Sequence, residues 1–544
     1  MAETDVVIVG GGPVGLTLAI ALGQRGVKCV LVEHKDQALF MPRMDLCNAR
    51  SMEFYRRLGI ASEIRRRGYD ADSCMDIVIA PDMQHEPLLR FEYPTANQSR
   101  ARIAMTNDGT TAREPYARIS QYTLEPLLRE VAEGTPGVTV LFSHEFEQFE
   151  EGPDGVVAAV RQPDGKPLSI RAAYLVGCDG GSSKVRRQLS IKLESMGDGD
   201  PWHHLFYEST EFNAAHAHGV ARHYYTADTL IITQDRPHFF GLHVPAARVE
   251  GLAPDAILSR VLHRDVPFRL HQTVTWSPRL LTAEAHGRDR IFLAGDAAHQ
   301  YIPTGGFGLN TGIVDTINLS WKLAAAIQGW AGPGLLESYR SEQQRVGKRN
   351  CAASKEAAEG LLGWRSLVGP EIFDDTDAGR ETRERVRVSA NVGQRKSHEM
   401  HGVELGYIHL DSPVIASEVG DAPDDTVRHY VPSAWPGAHL PHFWLSPGRS
   451  IYDVLGHGFA LITVGSEAHP SDLADAFAGF GAPFTVVPAP SSALNILQRR
   501  FVLVRPDLHI AWRGDELPGS EIAGLALGFL GREQRAALSN TLSQ

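Results

Sequence analysis

Apolar and polar positions fall into several distinct rhythms along the chain. After Asp5 the run VVIV is wholly apolar and β-branched, which predicts a strand buried on both faces of a parallel sheet. A glycine-rich turn, an apolar helix (PVGLTLAIALGQRG) and a second apolar run (VKCVLVE) follow, so the first stretch reads strand, turn, helix, strand. Residues 70–104 and 190–285 lack that rhythm and alternate instead, as in CMDIVIA, HLFYESTEF, ARHYYTADTLIITQD and HFFGLHVP. Alternation of this kind predicts a mainly antiparallel sheet with one face turned to a ligand or core. Helical spacing returns near Gly308 in LNTGIVDTINLSWKLAAAI, where Ile313, Ile317, Trp321 and Leu323 to Ile327 seat the helix on the core. Helix continues to about residue 360, and residues 370–400 form a charged connector, helical in part. From about residue 400 short strand runs (ALITVG, FTVVP, FVLVRPDLHIAWRGDELPG) open a further unit.

A length of 544 residues exceeds one ordinary core and predicts two or three domains. The net charge of -12 argues against general nucleic-acid or anionic-membrane binding. No run of about 18 apolar residues predicts a membrane span, and a strand at the very start leaves no room for a signal peptide. The five cysteines are scattered, without a CxxC pair. They point to a reducing compartment, with the cytoplasm as the expectation, and to no metal site.

Chemistry enters at the glycines. Gly10, Gly12 and Gly15 form G-x-G-x-x-G where the first strand meets its helix, with Pro13 and Val14 opening that helix. The first glycine allows the tight turn, the second lets backbone amides approach a pyrophosphate, and the third lets helix and strand pack closely. The helix N-terminus favours phosphate. Glu33 ends the second strand, where an acid accepts hydrogen bonds from ribose hydroxyls. A dinucleotide is therefore expected, and no second motif of this kind marks a separate nicotinamide domain. Two more glycine turns lie far downstream: YLVGCDGGSSKVRRQL, with Asp179, and RIFLAGDAAHQYIPTGGFGLN, with Asp296.

These three ordered motifs resemble the single-component class A flavoprotein monooxygenases, the p-hydroxybenzoate hydroxylase and phenol hydroxylase superfamily. The resemblance covers roughly residues 1 to 350 and extends to the tail, which is similar to a thioredoxin-like domain but holds no cysteine. It implies an α/β fold: a Rossmann-like FAD-binding domain of the GR2 type, an inserted β-sheet substrate domain and a thioredoxin-like C-terminal domain. The implied division is 1–70, 105–189 and 286–365 for FAD binding, 71–104 and 190–285 for substrate. Residues 366–399 form the helical connector and 400–544 the C-terminal domain. By the same resemblance, Arg43 lies by the flavin or its phosphates, and Gln121 touches the FAD chain. Asp179 lies near FAD and passing NAD(P)H, and Asp296 binds the ribityl or ribose region. Pro303, Gly306, Gly308, Leu309 and Asn310 run beside the isoalloxazine, with the Leu309 and Asn310 amides aimed at its N1/O2 edge. His299 is expected to pack beside the cofactor rather than act as a base.

The activity implied is NAD(P)H-dependent hydroxylation of a phenolic ring by O2 through a flavin C4a-hydroperoxide. Asp45 lies five residues before Arg50 in the helix motif RSME, where phenol hydroxylases carry an acid or histidine. It is the candidate base, because a phenolate attacks an electrophilic oxygen far better than a phenol. Arg222 is a candidate for a substrate carboxylate. The aromatic and histidine residues of 206–243, from Phe206 to His243, suit a pocket for a flat ligand. Baeyer–Villiger oxygenation of a ketone and a non-catalytic flavin-binding partner are the competing readings. A homodimer is also expected from the tail.

Overall fold

A computed structural model describes residues 2–37, 40–465, 470–531, 533–535 and 538. Its centre is a six-stranded sheet in the order Gly287–Arg288, Ile291–Leu293, Tyr174–Gly177, Val6–Val9, Cys29–Val32, Val138–Leu141, parallel except at the Gly287–Arg288 edge. Strands more than a hundred residues apart in the chain thus become neighbours. Helices Pro13–Gly23 and Phe307–Gln328 pack together over this sheet, burying Leu16, Ile20, Ile313, Ile317 and Leu323 in one core. The carboxyl ends of four adjacent strands deliver Gly10, Glu33, the Cys178–Gly180 turn and Gly295–Asp296 to one edge. That edge is where open α/β sheets bind ligands.

The alternating stretches form a seven-stranded sheet, Arg269–Trp276, Trp202–Glu208, Phe239–Pro245, Leu230–Thr233, His223–Tyr225, Ile77–Ile79, Leu89–Phe91. It is antiparallel except that His223–Tyr225 and Ile77–Ile79 run parallel, which is how residues near 77 join a sheet built mostly two hundred residues later. A four-stranded sheet made of Ala2–Glu3, Glu145–Gly152, Gly155–Arg161 and Pro167–Ala172 covers the other side of the central sheet, a meander the hydrophobic pattern did not single out.

Helix Pro333–Arg365 is 33 residues long, and helix Asp377–Gly393 lies within the charged connector. The tail holds a mixed four-stranded sheet in the order Phe484–Ala489, Phe459–Val464, Phe501–Val504, Ile510–Gly514, with the first pair parallel and the others antiparallel. The tail's last residues, 539–544, lie outside the described residues. Trp321 and Ala325 point away from the core under the central sheet and pack with Phe459, Leu461 and Leu503 of the tail, so one helix serves two cores.

A buried charge network crosses the same boundary. Arg505 pairs with Glu342 (2.7 Å) and with Asp507, and Lys322 pairs with Glu342 (2.8 Å). Arg50 donates to the Asp507 carbonyl at 2.7 Å. Despite burial, the cations hold the Glu342 and Asp507 carboxyls well below the usual carboxylate range. Among the described residues no helix is long and apolar enough to cross a membrane.

Candidate functional site

One cavity of about 1500 Å3 runs along the carboxyl edge of the central sheet and under the seven-stranded sheet. The first glycine turn forms one end. Gly10 has φ +112, and a Cβ there would lie 2.3 Å from the Cys178 carbonyl oxygen. A Cβ on Gly15 would lie 2.0 Å from the Gly10 carbonyl oxygen, so Gly15 is a packing position behind the wall. Gly12 has no atom within 4 Å of its Cβ position, which leaves open space at the start of helix Pro13–Gly23. Glu33 accepts from the Gly11 amide at 2.7 Å and the Lys35 amide at 3.0 Å, stiffening the turn that it also faces.

Asp179 uses Oδ2 to accept from the Lys184 and Val185 amides at 2.7 and 3.2 Å, while Oδ1 is buried without a partner. Arg43 and Gln121 line the cavity, and Gln121 donates to Glu125 at 2.5 Å. Asp296 is open to the cavity yet surrounded by protein; burial raises its carboxyl above the usual range, with His299 and Arg43 acting against the rise. His299 is fully buried and bonded to Asp315 at 2.7 Å, and the same Asp315 oxygen accepts from the Gly295 amide at 2.8 Å. Burial lowers the His299 imidazole, but Asp315 outweighs it and the net shift is upward. His286 also joins this group, with one ligand-type atom from each of the three within 4.8 Å of one another. All three lie behind the cavity wall, and no sequence spacing marks them as neighbours.

The loop at residues 301–306 closes the other side. Gly305 and Gly306 have φ +93 and +68, a left-handed backbone that glycine adopts without strain. Gly306 caps helix Phe307–Gln328, so the amides of Phe307, Gly308 and Leu309 have no partner within the helix. Here the geometry corrects one expectation. Asn310 does not line the cavity: as the fourth residue of the helix its amide falls within the helical ladder, and its side chain accepts from Asn48 and Ser51 while donating to Leu46 and Gly306. The Pro303 carbonyl accepts from the Gly306 amide at 3.0 Å, closing the turn, and Pro303 lines the cavity.

Asp45 is engaged by two arginines. Arg222 Nη2 contacts its carboxylate, and Arg118 Nη1 lies 3.3 Å away. A carboxylate clasped by two guanidiniums is an ion-pair partner, and Asp45 still lines the cavity with 19% of its side chain exposed. Arg222 is fully buried, bonded also to the Tyr69 hydroxyl at 2.6 Å, and does not reach the cavity for a substrate carboxylate.

Alternation decides which aromatic residues of the sheet face inward. His223, Tyr225 and His243 line the cavity, whereas Tyr207, Tyr224 and Phe240 point to the core behind the sheet. Phe206 packs with Met41 and Tyr122. The remaining wall includes residues that no motif marked, among them Arg118, Trp202, Trp276, Arg365 and His398. The residues present fit an FAD: open space at Gly12, an unpartnered Asp179 oxygen and three free helix amides are what an adenine dinucleotide and its flavin require.

The chain matches the family model of the FAD binding domain over residues 3–354, and that of the aromatic-ring hydroxylase C-terminal domain over residues 433–532. It is 31% identical to the FAD-dependent monooxygenase apdD of Emericella nidulans, covering 95% of this chain and 88% of that one. It is 28% identical to the 2,4-dichlorophenol 6-monooxygenase of Cupriavidus pinatubonensis, over 98% and 97% of the two chains. The crystal structure of the flavin-dependent monooxygenase PieE in complex with FAD and substrate superposes with a TM-score of 0.86 at 29% identity, covering 97% of this chain and 99% of that one. With the FAD-side motifs and the tail matched in one chain, the protein belongs to the FAD-binding aromatic-ring hydroxylases and is an FAD-dependent monooxygenase.

Proposed function

We propose that the chain hydroxylates a phenolic ring, with NAD(P)H as transient reductant and O2 as co-substrate. The observation that carries this reading is that the 301–306 loop and the inner face of the substrate sheet share one cavity, walled by Trp202, Tyr225 and Trp276. Flat aromatic walls suit a flat ring. Bound FAD would supply electron acceptance from NAD(P)H and activation of oxygen. The chain's own part is to hold and shield. Amides of Phe307, Gly308 and Leu309 offer partial positive charge to an anionic group, and the apolar walls limit water. His204, His223 and His243 are each pushed well down or to about 4, chiefly by burial, so they stay neutral and do not act as general acids near pH 7.

The test follows NADPH and oxygen consumption with panels of phenols and ketones and identifies products by mass. A phenol gaining one oxygen atom is the expected result. Phenol-stimulated NADPH oxidation without any oxygenated product sinks the reading, and oxygen insertion into ketones alone replaces it with Baeyer–Villiger chemistry.

A further inference from the structure

Behind the cavity wall the fold gathers buried polar side chains that find too few partners. His286 precedes strand Gly287–Arg288 and is 1% exposed, yet neither ring nitrogen has a hydrogen-bond partner among the described residues. His299 Nδ1 and Asp315 Oδ1, both on fully buried residues, are likewise unpartnered; the bonds these two side chains make use His299 Nε2 and Asp315 Oδ2. Strand Arg279–Ala283 pairs antiparallel with His299–Gln300, with Thr282 opposite His299, so both side chains stand on one face of the sheet. The buried Thr282 hydroxyl has no partner either. Helix Pro333–Arg365 closes the group with a glycine: a Cβ on Gly347 would lie 3.6 Å from both His286 Cε1 and His299 Cδ2. One turn earlier on the same helix face, Gln343 is fully buried with both amide atoms unpartnered.

Folded proteins pair nearly all their buried polar atoms, so orphans concentrated in one place point to a guest. The donor set says which kind. Two imidazoles and one carboxylate, from a loop, a strand and a helix, present one ligand-type atom each within 4.8 Å of one another. Imidazole nitrogen and carboxylate oxygen together suit a divalent transition metal of the zinc class, held by three protein ligands with a fourth position left to water. Ligand atoms around such an ion sit about 3.4 Å apart, so the three draw inward on binding.

We propose that His286, His299 and Asp315 bind a divalent transition-metal cation of the zinc class, and that the cation clamps the turn carrying Asp296. Asp315 is the link to the cofactor. Its Oδ2 accepts from the Gly295 amide, so a cation on Oδ1 fixes the carboxylate that holds that turn. Binding involves no redox step: each ligand offers a lone pair, and a proton on an imidazole nitrogen that turns to the ion leaves to water. None of the three residues lines the cavity, so the ion supports the cofactor site without touching the substrate.

The test takes full-length, FAD-loaded protein stripped with EDTA, loads it with Zn2+ or Co2+ and desalts it. Elemental analysis should find one Zn2+ per chain, and Co2+ should give d–d absorption to the red of the flavin band. Zn2+ should raise the temperature of FAD release, read by flavin fluorescence, by several degrees. His286→Phe, which removes one ligand and leaves the cavity lining untouched, should keep FAD, weaken cation binding at least tenfold and abolish that rise. His286→Cys, which restores a ligand atom, should recover the cation and add a thiolate-to-Co2+ band, and it decides the matter if His286→Phe does not fold. Less than a tenth of a Zn2+ per chain in the unaltered protein, binding that His286→Phe leaves unchanged (an ion on surface histidines only), or a His286→Cys protein without the thiolate band overturns the site. Loading at His286 without any shift in FAD release overturns the clamp.

Discussion

Asp45→Ala separates an ion-pair partner from a catalytic base. The Arg222 side chain is 0% exposed, and Asp45 is the carboxylate that meets it, with the Tyr69 hydroxyl as its other side-chain partner. Removing one member of a buried pair costs about 3–5 kcal/mol, because the remaining charge is stranded. Asp45 itself is 19% exposed, so water reaches the gap and the lower end, about 3 kcal/mol, is expected. The informative variant is the double one, Asp45→Ala with Arg222→Met. With Arg222 gone and only Arg118, 12% exposed, left without its carboxylate, stability should recover in part, giving a coupling of roughly 2–3 kcal/mol in the cycle. Urea unfolding at saturating FAD reads the stability, and rapid mixing resolves flavin reduction from substrate hydroxylation. If Asp45 were the base, hydroxylation would stay down by about 10²–10⁴-fold in the double variant whatever the stability did. Coupling under about 0.5 kcal/mol, or a hydroxylation step still a hundredfold slow in a restored protein, would refute the ion-pair account.

Three further outcomes are expected. Gly12→Val should give folded protein with normal circular dichroism and no bound flavin, since the added side chain occupies the space kept open for the cofactor rather than any protein contact; yellow protein at full FAD stoichiometry counts against the site. Asp315→Ala strips a partner from both the His299 ring and the Gly295 amide, two buried groups, and should cost about 2–4 kcal/mol in stability with weaker FAD binding by flavin fluorescence. The Glu342 and Asp507 carboxyls are lowered in the folded state, so their stabilisation is complete above the unfolded carboxylate range near pH 4 and is lost as pH falls below it. Acid unfolding followed by tryptophan fluorescence should therefore fall steeply below about pH 4, and Glu342→Gln should flatten that limb; an unchanged limb would mean that other groups set it.

Local pattern carried the parts of this protein whose physics is local. A continuous apolar run, three spaced glycines and a terminal acid describe one strand–turn–helix–strand unit within thirty-three residues, and Gly10, Gly12 and Gly15 occupy the positions their spacing implies. The aromatic content of the 206–243 strands was equally visible, but not which residues face the cavity; that depends on the pairing of His223–Tyr225 with Ile77–Ile79, across nearly 150 residues of chain. Single charged side chains were the least legible. Asp45 looked free until Arg118, ending strand Ala117–Arg118, and Arg222, just before strand His223–Tyr225, closed on it, and Asn310 looked like a cofactor contact until Asn48 and Ser51 engaged it. His398 carried no sequence signal at all. Sequence alone determined that a dinucleotide binds and the class of fold that holds it, because a backbone that must approach a pyrophosphate leaves glycines in fixed order; that the dinucleotide is FAD came with the family resemblance. Only the tertiary structure decided which polar groups remain unpaired around the substrate, because pairing is settled by distance in space and burial makes an unpaired group matter.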